Sequence, residues 1–285
     1  MTTVFIMGTK LKILFNSIRD NLMLGPVRAA LIRRRDAARE YPNFLSVVAI
    51  MKNEAPYIKE WLDYHIAIGI DKFYLYDNES TDDIKVVLAP YIKSGRVEYK
   101  LWPGSRMQLQ AYRDAVAMHK NDTKWLAFFD IDEFLMPSPR EFLKKQSGNV
   151  AQVTLGCAIF GTNGHKTKPV DGLLSNFTRR GAISDECKSI VNPRLVRAIH
   201  SCHYSAVAGK TINACGARIA ASRDADYPID TFRVNHYKTK SVAECAAKFG
   251  VGDALYGARP MALEKYLEKY DQNEVLDKSI CSKRK

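Results

Sequence analysis

Trp125-Leu-Ala-Phe-Phe-Asp-Ile-Asp-Glu-Phe-Leu-Met136 is the stretch on which the reading of this chain turns. A run of large apolar residues is broken by Asp130, Asp132 and Glu133 and then resumes, with Pro137 and Pro139 beyond it. Such a run reads as a buried strand. Carboxylates inside it must be paired or must coordinate a metal, because an isolated buried charge is unstable. Two residues apart on an extended strand, Asp130 and Asp132 project to the same side. That pattern suits one hard divalent cation, which takes oxygen ligands and keeps positions open for phosphates. Glu133 either faces outward or orients its neighbours.

Working outward, strands and helices alternate. Phe44-Leu-Ser-Val-Val-Ala-Ile-Met51 is strand-like, and Lys52-Asn-Glu-Ala-Pro56 is a turn with proline at a helix start. A helical pattern over 57–68 stops at Gly69, and Lys72-Phe-Tyr-Leu-Tyr76 is a second strand ending in Asp77-Asn-Glu-Ser-Thr-Asp-Asp83. A short helix over 84–92, a strand over 97–101 and a helix over 108–119 lead to the Asp130 strand. The expected fold class is α/β, a mostly parallel central sheet flanked by helices. Ligands of such sheets bind beyond the carboxyl ends of the strands, where Asn53/Glu54, Asp77/Asn78 and Asp130/Asp132 would collect. The second half is less regular: 156–172 is rich in glycine and polar residues, and Val234-Asn-His-Tyr-Lys238 reads as a late strand.

The 285 residues, 46% hydrophobic and 26% charged, fit one large soluble domain with basic ends. Residues 1–40 carry eight Lys/Arg against three Asp/Glu, and 278–285 carry four positives and no negatives. These ends supply nine of the twelve net charges, so the body over 41–277 is near neutral. A nucleic-acid binder would carry its charge on the folded surface, so no nucleic-acid partner is expected. Apolar residues at helical spacing within 10–24 make a basic amphipathic helix, suited to peripheral contact with an anionic membrane surface or to packing on the body. No stretch is long and apolar enough to span a bilayer, and lysines interrupt residues 1–14, so neither a span nor a cleaved signal is expected. The six cysteines form no CxxC pair and read as reduced. Cytoplasmic residence, docked on the inner membrane face, is the expected location.

Several segments together resemble glycosyltransferase family 92 and its family-2-like relatives. They are Val48-Ala-Ile-Met-Lys-Asn-Glu-Ala-Pro-Tyr-Ile-Lys-Glu-Trp61, Phe73-Tyr-Leu-Tyr-Asp-Asn-Glu-Ser-Thr-Asp82 and the Asp130 stretch. Phe160-Gly-Thr-Asn-Gly-His165, Asn176-Phe-Thr-Arg-Arg180, Lys188-Ser-Ile-Val-Asn-Pro193 and Asn235-His-Tyr-Lys-Thr-Lys-Ser241 complete the ordered set. The resemblance implies a GT-A-type fold with an acceptor-side second half. It also implies a nucleotide-diphosphate sugar donor, and Mn²⁺ or Mg²⁺ held by Asp130 and Asp132. His236 would be a third metal ligand or a phosphate contact. Lys52, Asn53, Glu54 and Asp77 would hold base and ribose, and Gln110 and Arg113 would face the same pocket.

The function expected is a metal-dependent transfer of a sugar, with inversion, to a glycan or lipid-linked hydroxyl. Inversion needs a carboxylate to take the acceptor's proton. Asp185, Glu186 and Asp253 are the candidates, with Glu186 and Asp253 preferred. Arg179/Arg180 could clamp phosphate, and His200 and His203, three apart, could share a helical face. Two alternatives stand beside this reading. A metal-dependent nucleotidyltransferase would show a glycine-rich loop after the first strand, which Lys52-Asn-Glu-Ala-Pro56 lacks. A non-catalytic protein binding through its basic ends would lose its function with them.

Overall fold

The computed structural model describes residues 25–146, 148–182, 186–219, 227–251 and 262–281. The amphipathic segment over 10–24 and the tail over 282–285 lie outside them. Helix α1 (Pro26–Ala37) precedes an alternating half: β1 (Asn43–Met51), α2 (Ala55–Ala67), β2 (Lys72–Asp77), α3 (Ile84–Lys93), β3 (Val97–Leu101), α4 (Gln108–His119) and β4 (Thr123–Phe128). The second half contributes β5 (Glu133–Met136), α5 (Arg140–Lys144), β6 (Val150–Ile159), α6 (Leu173–Asn176), β7 (Arg179–Arg180) and β8 (Cys187–Val191). After these come β9 (Val196–Ile199), β10 (Ser205–Val207), β11 (Lys210–Asn213), β12 (Arg233–His236), α7 (Val242–Val251), α8 (Leu263–Tyr270) and β13 (Val275–Leu276).

The expected α/β architecture is present. The main sheet runs β3-β2-β1-β4-β8-β6-β12-β5, with β11 beside β6. Strands β3, β2, β1 and β4 are mutually parallel, whereas β8 is antiparallel to both β4 and β6. Continuous apolar runs arise because both faces are covered. Val47, Ala49, Phe73, Leu75, Trp125 and Ala127 join one core with Ile58, Trp61 and Leu62 of α2. Their alternates Val48, Ile50, Tyr74, Tyr76, Leu126 and Phe128 join a second core with Ala111, Tyr112 and Ala115 of α4.

The glycine-rich stretch expected to be irregular differs at its start, since residues 156–159 complete the fully buried strand β6. A side chain at Gly156 would stand 2.6 Å from the Tyr227 carbonyl oxygen, so glycine there permits close backbone approach rather than a turn. Part of the basic N-terminal segment belongs to the body. Ala29 of α1 packs with Ala151, Leu195 and Ala208, and Asp36 pairs with Arg194 at 2.8 Å. Among the described residues no helix is long and apolar enough to cross a membrane, and no disulfide joins the six cysteines.

Strand β5 lies at the end of the sheet, where an unpaired backbone edge would be unstable when buried. Helix α2 supplies the missing partners: Trp61 Nε1 donates to the Glu133 carbonyl (2.7 Å) and Tyr64 OH to the Leu135 carbonyl (3.0 Å). His65, fully buried, accepts the Leu135 N–H at Nε2 (3.2 Å), while its Nδ1–H donates to the Trp61 carbonyl (2.8 Å). These bonds require the neutral imidazole, and burial pushes its pKa down from 6.5 to about 3. The unfolded chain therefore binds this proton first. The contribution is complete above pH 6.5 and is lost as pH falls from there towards 3. Relative to a His65→Gln variant, the parent's unfolding free energy should fall by about 1.4 kcal/mol per pH unit between roughly pH 6 and 5. Urea titrations across that window measure the difference; equal slopes in parent and variant would refute it.

Candidate active site

Asp130 and Asp132 lie in a turn, not on the extended strand expected from their spacing. Strand β4 ends at Phe128, and β5 begins at Glu133 on the far side of the sheet, against β12. The connecting residues close on themselves: the Glu133 N–H donates to the Asp130 carbonyl (3.1 Å), and the Asp130 N–H donates to Glu133 Oε2 (3.0 Å). The Phe129 N–H donates to the Val48 carbonyl (3.1 Å) and the Tyr237 N–H to the Asp132 carbonyl (2.8 Å). Turn closure between two separated strands, rather than strand alternation, gathers the carboxylates. Glu133 is among the gathered groups, since its side chain is fully buried and faces the turn.

Cations arrive from three other elements. Lys188, at the start of β8, places Nζ 2.9 Å from Asp130 Oδ2 and 2.9 Å from Glu133 Oε1, with its side chain 2% exposed. Lys248 of α7 meets Asp132 Oδ2 at 2.8 Å, and Lys240 meets Glu54 Oε2 at 3.0 Å. Helix α7 opens on a capping box, Ser241 Oγ and the Glu244 carboxylate each bonding the other's backbone N–H. Burial opposes ionisation of Asp132, but Lys248, His236 and Lys240 outweigh it and hold its carboxyl far below the usual range. Asp130 is lowered in the same way, burial being outweighed by Lys188. Glu133 goes the other way, raised by burial. Burial disfavours the Lys188 ammonium, yet Asp130 and Glu133 keep it charged.

A cavity of about 860 Å³ opens over this turn at the carboxyl ends of the parallel strands. Lys52, Asn53, Glu54, Asp130, Asp132, Glu186 and His236 all line it, as the sequence reading anticipated. Asn53 adopts φ +57°, and its side chain accepts the Thr81 N–H (2.8 Å), tying the loops after β1 and β2 together. Asp77 is a correction. It is buried and taken up by the Ser80 N–H (2.8 Å) and the Tyr99 hydroxyl, while its neighbours Asn78 and Glu79 reach the cavity. Gln110 is another, since it is exposed on α4. Two positions along a helix is about half a turn, so Gln108 faces inward instead and donates to Asp130 Oδ1 (3.1 Å). Arg113 turns to the Ile199 carbonyl (3.1 and 2.6 Å) and does not line the cavity.

Arg179 and Arg180 do not clamp a ligand there either. Arg180 pairs with Asp277 (2.7 Å) and Arg179 donates to the Asn273 carbonyl (2.7 Å), fastening the C-terminal segment. His200 and His203 share no helix, lying in the loop between β9 and β10. Asp185 and Asp253 lie outside the described residues. Glu186 faces the cavity, paired with Lys238 and with His236 Nδ1 (3.5 Å). Burial works against its charge, but His236 and Lys238 prevail and depress its pKa. Sequence reasoning missed Lys188, Lys238, Lys240 and Lys248. The signal available was the alternation Lys238-Thr-Lys240 and a lysine opening the apolar run at Cys187–Val191.

Among the described residues no group of three His, Cys, Asp or Glu side chains is placed so that it could hold a metal ion. Asp130, Asp132 and His236 nevertheless bring oxygen and imidazole donors, the kinds that divalent cations take, to one cavity wall. His236 Nδ1 is buried beside Glu133 Oε1 (3.4 Å) and Glu186 Oε2 (3.5 Å). Its Nε2 stands on the other side, 3.6 Å from Asp132 Oδ1, with both side chains lining the cavity. A carboxylate behind a ligating histidine is the usual arrangement at metal sites. Charge points the same way. The cavity wall carries seven Lys/Arg and seven Asp/Glu side chains, so it has no surplus positive charge for a diphosphate.

The sequence model of glycosyltransferase family 92 matches residues 45–273. A glycosyltransferase family 92 protein of Ricinus communis is 29% identical over 177 residues, covering 58% of this chain and 32% of the relative. A family 92 protein of Arabidopsis thaliana is 25% identical over 229 residues, covering 73% and 39%. A galactan β-1,4-galactosyltransferase of the same plant is 32% identical over 88 residues, covering 27% and 17%. The chain thus spans about a third of the length of the curated family 92 relatives it matches. Among solved structures, Staphylococcus aureus TarS residues 1–349 in complex with UDP matches at 13% identity and a TM-score of 0.37, covering 53% of this chain and 47% of that one. Glucosyl-3-phosphoglycerate synthase of Mycobacterium tuberculosis, in complex with Mn²⁺, UDP and glucosyl-3-phosphoglycerate, matches at 20% and 0.28, covering 45% and 48%.

Removing one partner of a buried ion pair strands the other charge. Lys188→Met should therefore cost about 3–5 kcal/mol of folding stability, read as a lowered urea midpoint. Adding Glu133→Gln should recover at least about 1 kcal/mol of it. A Lys188→Met protein that unfolds at the parent's midpoint would remove Lys188 from this role.

Proposed function

The chain belongs to glycosyltransferase family 92, and on that premise we propose that it transfers a sugar from a nucleotide-diphosphate sugar to a hydroxyl acceptor at the cavity over the 129–132 turn. The observation that carries the proposal is the Asp130–Asp132–His236 set, backed by Glu133, Glu186 and Lys188, beside a cavity large enough for such a donor. Lys52, Asn53, Glu54, Asn78 and Glu79 line the cavity and would hold base and ribose. Lys240 and Lys248, near Glu54 and Asp132, suit the diphosphate.

Mn²⁺ or Mg²⁺ bound by Asp130, Asp132 and His236 would offset the charge that builds on the leaving diphosphate. The residues themselves hold that arrangement. Gln108 and Lys188 orient Asp130, while Glu133 and Glu186 keep the His236 ring turned with Nε2 towards Asp132. Family resemblance implies inversion, a single displacement in which the acceptor oxygen attacks the anomeric carbon as the diphosphate departs. The acceptor is taken to be a glycan or a lipid-linked hydroxyl.

The test is release of nucleoside diphosphate from a panel of nucleotide sugars, with Mn²⁺ or with chelator, by the parent and by Asp132→Asn. One donor should be hydrolysed slowly by the parent. The rate should fall at least about a hundredfold with chelator or in the variant. A rate indifferent to both would return Asp130 and Asp132 to a structural role and withdraw the metal.

A further inference from the structure

Two cavities meet at one wall. Besides the cavity over the turn there is a smaller one of about 450 Å³, and Glu186 and His203 line both. Its remaining walls include His200, Ser201 and Tyr204, from the loop joining β9 to β10, and Lys269 of α8. Both volumes fall within the roughly 300–1,000 Å³ of small-molecule sites. The linings differ in kind. The larger carries seven charges of each sign. The smaller has one carboxylate, Glu186, balanced by one ammonium, Lys269, among a phenol, a hydroxyl, a thiol and two imidazoles, so its lining has no net charge to select a charged ligand. Such a lining offers donors and acceptors for hydroxyl groups and an aromatic face for the C–H surface of a sugar ring.

His203 stands at the junction. Its Nδ1–H donates to the Cys187 carbonyl at 2.8 Å, which fixes the tautomer and leaves Nε2 as an acceptor. Burial, with the nearby Lys188 charge, lowers its pKa and keeps the ring neutral. The Glu186 carboxylate is already engaged by Lys238 and stands 3.5 Å from His236 Nδ1.

We propose that the smaller cavity is the acceptor site, that it takes a neutral pyranose unit bearing a free hydroxyl, and that His203 Nε2 accepts that hydroxyl's proton. The proposal rests on the transferase reading above. In the step, the acceptor O–H bond breaks and its proton passes to Nε2. The oxygen's electron pair forms the new bond to the anomeric carbon. The bond from that carbon to the diphosphate oxygen breaks, its pair leaving with the nucleoside diphosphate, and His203 later returns the proton to water.

The experiment uses the full chain, the nucleotide sugar that the parent hydrolyses, and the methyl glycosides of galactose, glucose and mannose as acceptors. His203→Asn keeps an N–H near the Cys187 carbonyl but removes the base, and Ala206→Leu adds bulk at Ala206 of β10, which also lines the smaller cavity. His203→Asn should lower kcat for transfer by at least about a hundredfold at similar acceptor KM. Ala206→Leu should instead raise acceptor KM about tenfold with kcat retained. Transfer by His203→Asn at the parent's kcat overturns the base assignment. Unaltered KM in Ala206→Leu, or a parent that hydrolyses its donor yet glycosylates none of the three, overturns the acceptor site. Should His203→Asn fail to fold, Ala206→Leu still decides the cavity. A parent that neither binds nor hydrolyses any nucleotide sugar fails at the earlier reading, a result distinct from all of these.

Discussion

Charge balance around a buried turn is the constraint from which the rest of this structure follows. Asp132 and Glu133 are almost wholly shielded from water and Asp130 partly so. Carboxylates so close together repel unless cations sit among them. Lys188 touches two of them at once, and Lys248 and His236 serve the third. Each comes from a different element, so β8, β12 and α7 are held in register by a shared electrostatic requirement. Such a lattice is weak evidence for net stability, since well-packed apolar groups could serve as well.

The scaffold makes that turn possible in two ways. Alternating side chains of β1, β2 and β4 fill cores on both faces of the sheet, so the strand ends stay fixed without help from the loops. Helix α2 meanwhile caps the backbone of β5 through Trp61, Tyr64 and His65. The residues leaving β4 therefore enter a strand whose position is already set. Between these anchors, residues 129–132 close into one conformation, with the Asp130 and Glu133 backbones bonding across the turn. Preorganisation of this kind lets a site hold charged groups ready before a substrate arrives.

Much of this was legible from residue order alone, for identifiable reasons. The alternation of apolar strands and amphipathic helices over 44–128 is local and periodic, and it led to the parallel half of the sheet. Acidic residues in an apolar run mark a site wherever the run folds, so Asp130 and Asp132 stood out. Ordered motifs, including the late histidine, carried the family. What local pattern cannot carry is direction. Asp77 and Gln110 are polar residues at plausible places, yet one is consumed by its own turn and the other lies half a helical turn from Gln108, which faces the site.

By itself, then, the sequence determined the fold class, the family and the carboxylates on which the site is built, because hydrophobic period and motif order are written in nearest neighbours. Only the tertiary structure decided that the two aspartates share a turn rather than a strand face, and that Lys188 stands between Asp130 and Glu133, 58 residues from the first. It also decided that Lys248 reaches Asp132 across 116 residues of chain, and that His203 joins two cavities. Ion pairing depends on distance through space, and a lysine in a sequence has no distance to its partner until strands β8 and β12 are laid into the sheet.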